Sequence, residues 1–160
     1  MIRQLLKILH EIGAIGSTGS LACCLVLIAT APSDSLAGYA AVRHGIAAIA
    51  QWLLVPSLAI VLISGLLAIA ATRAYRDAGW AWIKALLGLL VFEGTLTTVN
   101  GSARRAAELA TLAAAGHPDP AQLAEILRTE RGGLWLMLAL ACANIVLAVW
   151  RPRLLRGVPD

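Results

Sequence analysis

The chain has 160 residues, 59% of them apolar and 14% charged, and its mean hydropathy is +0.79. Soluble domains run at about 45–50% apolar and about 25% charged, so this composition excludes an ordinary soluble domain and points to a single membrane domain, residues 1–160. The net charge of +4 reads as topology and lipid anchoring, not as a nucleic-acid surface, because the basic residues flank apolar runs instead of gathering on one segment.

The expected fold class is all-α and integral to the membrane, a four-transmembrane-helix bundle. Spans are expected at about 8–30, 46–71, 80–99 and 134–150, each reaching or approaching the roughly 20 apolar residues that cross a bilayer. The first run ends in Ala29-Thr30-Ala31, a small-x-small sequence of the kind found at signal-peptide cleavage sites. Its apolar stretch is too long for a usual signal, so it is expected to be retained as a span. Gly16 and Ser20 form a small-xxx-small pair that lets helix backbones approach closely in lipid, which reads as bundle packing.

Near the start of the same span, His10 shares a face with Ser17. A histidine there can serve as a haem ligand, a proton carrier or a hydrogen-bonding residue at the interface. His44 and His117 fall toward the opposite membrane face, so neither can join His10 in a bis-histidine haem site within one chain. Cys23, Cys24 and Cys142 lie inside spans at spacings that match no zinc or haem-attachment pattern, and no metal site is expected.

The first loop, "APSDSLAGYAAVR", leads into span two, where Pro56 is expected to kink or loosen the helix. "TRAYRDAG" is a short turn before span three, which carries "WIKALLGLLVFEG" at 82–94. Lys84 and Glu93 within it are nine residues apart, about 13.5 Å along a helix, and point to opposite faces. Lys84 either extends its ammonium to the headgroups or contacts a ligand. Glu93, Thr97 and Asn100 follow i, i+4, i+7 spacing, so they are expected to line the bundle interior or a wet cavity. Their candidate partners are Arg43, His44 and Gln51. That polar intramembrane cluster is either a structural network or a functional site.

A helical loop at 101–131 is expected outside the membrane. Span three should continue through "SARRAAELATLAAAG" to Gly116, and "HPDP" should break it. Asp119, Pro120 and Gln122 then supply an N-cap, a first-turn proline and an N3 partner for a second, short helix with an apolar edge of Leu123, Ile126 and Leu127. Arg3, Lys7, Arg73, Arg76, Arg151, Arg153 and Arg156 fall on one side of four alternating spans. Arg43, Arg104, Arg105, Arg128 and Arg131 fall on the other, so the positive-inside bias places both termini in the cytoplasm.

"LLKILHEIGAIG", "PSLAIVLISGLLAI" and "GWAWIKALLGLL" together resemble the bacterial four-span inner-membrane superfamily that holds the membrane protoporphyrinogen oxidases, the copper-resistance D domain and uncharacterised relatives. The resemblance covers the first three spans. It implies a bacterial inner-membrane location and haem b as a cofactor, with His10 and Lys84 at the positions of the family's first-span histidine and third-span lysine. The oxidase members carry a further histidine late in span three, where this chain has Glu93, and an Asn-Glu-x-Pro sequence that is absent here. Copper transport draws no support from a chain with two methionines and dispersed histidines.

No phosphate-binding loop, zinc-protease motif, nucleophile elbow or dinucleotide fingerprint occurs, and no catalytic residue is assigned. The resemblance implies a redox-associated membrane protein that binds haem b or quinone between helices at His10 and Lys84. The alternative is a non-catalytic accessory or assembly subunit of a larger membrane complex. A third reading is a small proton-coupled carrier working through Glu93. The expected partners are the lipid bilayer and a second copy of the chain or a larger complex.

Overall fold

The computed structural model describes residues 2–150, with side chains through residue 146. Arg151, Arg153 and Arg156, on which part of the charge asymmetry rests, lie outside the described residues. Every element among those described is helical. Helix α1 spans Ile2–Ala29, α2 spans Leu36–Ala71, and α3 is a single turn at Arg73–Arg76. Helix α4 spans Gly79–Ala114 and α5 spans Pro120–Trp150. Three of these, α1, α2 and α4, are long and apolar enough to cross a membrane.

Small residues decide how the helices meet. A Cβ on Gly13 would lie 2.8 Å from the Ser57 carbonyl oxygen and 2.9 Å from Val61 Cγ2, and one on Gly16 would lie 2.5 Å from Ser57 Oγ. Glycine therefore sets the separation of α1 and α2. The same device recurs between α4 and α5, where Gly94 faces Met137 and Gly133 faces Thr98. Leu21, Cys24, Ile46, Leu54, Val99, Leu134 and Met137 form the buried core between these contacts. Large apolar residues such as Ile15, Val26, Trp52, Ile63, Leu86 and Leu90 point outward instead. Small residues at the closest helix contacts, with many large apolar side chains turned outward, is the arrangement that suits a lipid surround.

Two helices contain π-helical stretches. In α2 the stretch is Ala50–Leu54, directly before Pro56. Proline has no N–H, and its ring collides with the carbonyl four residues earlier, here Trp52 in the middle of the wide turn. The expected loosening at Pro56 thus takes the form of a π turn. The second stretch, Thr95–Asn100 in α4, has no proline. Thr97 Oγ1 donates to the Glu93 carbonyl at 2.9 Å, a side-chain bond that competes with the regular ladder.

The ends follow ordinary capping chemistry. Ser35 Oγ accepts from the Gly38 N–H at 3.1 Å and starts α2, so the first loop is confined to 30–35. Helix α4 stops at Gly116, whose φ of 88° suits a residue without a Cβ, and the His117 N–H closes on the Leu112 carbonyl. Asp119 Oδ1 then accepts from the Gln122 N–H at 3.0 Å. The short helix expected after Asp119 is not separate. It runs without a break through Gly132 and Gly133 into the last apolar run, because paired glycines weaken a helix without ending it once neighbouring packing holds it. The region 101–131 is therefore two helix extensions joined by a tight turn.

Candidate functional site

The bundle has two ends. One carries the start of α1, the end of α2, the start of α4 and the end of α5, and holds a cavity of about 570 Å³. That size lies within the roughly 300–1,000 Å³ of small-molecule sites. His10 and Lys84 both line it, from α1 and α4.

The imidazole of His10 is held by α2. Its Nδ1 lies 3.0 Å from the Val61 carbonyl oxygen and 3.1 Å from Ser64 Oγ. A carbonyl can only accept, so Nδ1 carries the proton and the neutral ring keeps its lone pair on Nε2. Ser64 directs its own proton to the Ile60 carbonyl at 2.6 Å, which leaves its oxygen as an acceptor toward the ring. Gly65 lies beside the ring, where a Cβ would come into ordinary contact with His10 Cε1 at 3.4 Å. Orienting a ligating imidazole through its other nitrogen is how histidine metal and haem sites are usually prepared.

Around this group the lining divides by chemistry. Arg3, Lys7 and Lys84 are cationic and Glu11 is the one acid among the lining residues. Leu62, Leu66 and Ile69 supply an apolar wall from α2. Tyr75 and Trp80 stand edge to face with ring centroids 5.8 Å apart and also border the cavity. Asn144 reaches in from α5, and its Oδ1 is buried without a hydrogen-bond partner. A buried amide oxygen with no donor is costly, and a ligand carrying one would relieve it.

The second group of predicted residues is arranged differently from the expectation. Glu93 and Thr97 are exposed on the outside of the bundle, and so is Gln51. The stripe faces outward because α4 turns Val91, Thr95 and Val99 to the interior, and Glu93 and Thr97 lie between those positions on the other side of the helix. Asn100 is half-buried with an unpartnered Oδ1. His44 is exposed and pairs with Thr111 at 2.9 Å. Thr111 gives its proton to the Ala107 carbonyl, so His44 Nε2 is the donor in that bond. Arg43 alone goes to the interior, and it meets neither Glu93 nor Asn100.

Its partner is Glu130 of α5. Both side chains are buried, at 1% and 0% exposure, and Arg43 Nη2 donates to Glu130 Oε2. Arg43 Nε and Glu130 Oε1 have no partner. Sequence reasoning missed Glu130, which sits in a segment read as an external loop. The available signal was a lone carboxylate just before an apolar run, at the same membrane level as the lone arginine opening span two. Asn144 was missed as well, a single amide inside the last apolar run.

Among the described residues no three His, Cys, Asp or Glu side chains gather as a metal site, and the three cysteines are free thiols. No curated protein and no solved structure matches the chain. A family model described as "predicted integral membrane protein (DUF2269)" matches residues 4–152. An apolar-surfaced helical bundle with three spanning helices fits that description, and the chain belongs to this family of integral membrane proteins.

Proposed function

We propose that the protein is a redox-associated protein of the bacterial inner membrane that binds haem b or quinone in the cavity between α1, α2 and α4. In this reading α5 is a fourth span and both termini are cytoplasmic. One observation carries it: His10 and Lys84, remote in sequence, line the same cavity, and the Val61 carbonyl engages Nδ1 of the imidazole and leaves Nε2 without a partner from α2. The resemblance of the first three spans to the protoporphyrinogen oxidase group adds support at the same two residues.

The lining suits such a ligand. His10 Nε2 would hold a haem iron or accept a hydrogen bond from a quinol hydroxyl. Lys84, Lys7 and Arg3 take the propionates of haem or the anionic oxygen of a reduced quinone ring. Leu62, Leu66 and Ile69 cover the apolar part, and Asn144 Oδ1 takes a hydroxyl donor. Bound there, either group supplies one-electron or two-electron transfer that no side chain of the chain provides.

A second reading, a subunit that works within a homo-oligomer or a larger complex, is favoured by Glu93. Intramembrane carboxylates almost always face protein or a wet cavity, whereas Glu93 and Thr97 face out of this chain. Another chain is the natural cover. Native mass spectrometry from mild detergent tests both readings at once. The first expects a haem or quinone mass on the protein that is absent from His10→Ala, and the second expects Glu93→Gln to lower the subunit count. A wild-type protein with neither adduct would remove the first, and an unchanged subunit count in Glu93→Gln would remove the second.

A further inference from the structure

The opposite end of the bundle contains a second cavity, of about 480 Å³, between the α1–α2 loop and α5. Arg43, Arg128 and Arg131 line it together with Tyr39 and Ser33, and no acidic residue among those described does. Arg128 and Arg131 come from one face of α5, three residues apart, while Arg43 comes from the second turn of α2.

Arg43 is the informative member. Its guanidinium has five donors in a fixed fork, suited to two-point contact with a carboxylate or phosphate. Glu130 takes Nη2 only, and Nε is buried with no acceptor. Leaving a charged donor unmade inside a protein is expensive. Glu130 does not line the cavity whereas Arg43 does, so an anion in the cavity approaches the arginine and not the carboxylate. Glu130 offsets one of the three positive charges, and two remain for the ligand.

We propose that this cavity is an anion site that binds a phosphate group through Arg43, Arg128 and Arg131. Tyr39 and Ser33 add hydroxyl donors, and Ile28, Pro32 and Leu127 give it an apolar flank. The phosphate belongs either to an acidic phospholipid, whose chains follow the flank, or to a free phosphate or phosphomonoester. The site stands on the arginine geometry and is independent of the His10 cavity.

The test is binding to the full-length protein in a zwitterionic detergent, with short-chain phosphatidylglycerol and inorganic phosphate as separate probes. The site variant is Arg128→Gln/Arg131→Gln, which alters exposed residues and leaves the Arg43–Glu130 pair in place. The control is Arg104→Gln/Arg105→Gln, which removes equal charge from exposed positions on α4. The expected result is that binding weakens about tenfold or more in the site variant and little in the control, because only the site variant removes charge-assisted donors to the anion. Loss confined to the lipid probe identifies a phospholipid site, and loss with both probes identifies a phosphate site. Equal binding by the two variants, or no binding of either probe by the wild-type protein, overturns the proposal.

Discussion

At the scale of single residues, the two ends of the bundle rest on different kinds of side-chain chemistry. His10 is poised by a backbone carbonyl, which no change of side chain can remove, and by Ser64, which can be changed. Arg43 and Glu130 pair with almost no solvent exposure. Removing one member of such a pair leaves an uncompensated buried charge and costs about 3–5 kcal/mol, whereas replacing both by apolar groups is often neutral or better. Arg43→Ala and Glu130→Ala should each lower the unfolding midpoint in detergent sharply, and Arg43→Met/Glu130→Leu should recover most of the loss. A double variant as unstable as the worse single one would show that the pair matters through something other than its mutual charge. His10 and Lys84 were legible as candidates because each is a polar residue near the start of an apolar run. Glu130 was not, because its partner lies 87 positions away and only the folded helices bring the two together.

At the scale of helices, capping was the most readable feature. Asp119, Pro120, Gln122 and Gly116 mark their boundary because cap chemistry is local. The continuity of α5 was less readable, since Gly132 and Gly133 resemble a break and only the packing of Gly133 against Thr98 and Val99 keeps them helical. The outward turn of Glu93 was illegible for a related reason. Spacing groups Glu93 with Thr97 on one face but does not say which face is buried, and the chain buries the Val91, Thr95 and Val99 face instead. The close contact of α1 with α2 gives the cleanest test at this scale. Gly13→Val should drive a side chain into Ser57 and Val61 and destabilise the protein by about 1–3 kcal/mol, the usual cost of overpacking. Gly19→Val should do almost nothing, because nothing stands within 4 Å of a Cβ there. Equal effects on thermal unfolding in detergent would mean that α1 and α2 do not meet as described.

For the whole molecule, composition carried the class, an all-helical membrane protein, and chain order carried most of the helix boundaries. What composition does not carry is the sorting of polar groups to two ends. The His10 cavity gathers cations and an imidazole beneath the first turns of α1 and α4, and the Arg43 cavity gathers arginines beside the α1–α2 loop. Between them the core is apolar, built around Leu21, Ile46, Leu54, Val99 and Leu134. That layout suits a bundle which anchors at one end and binds a redox group at the other. Whether the His10–Lys84 cavity is a ligand site is decided by equilibrium titration of the purified protein. Haemin is followed by its Soret shift and a short-chain quinone by quenching of Trp80. Saturable binding of at least one of them is expected, weakened about 10–100-fold by His10→Ala or Lys84→Ala, a span typical of losing a ligand or its orienting partner. A folded protein that binds neither, or variants that bind as tightly as the wild type, would rule the ligand site out.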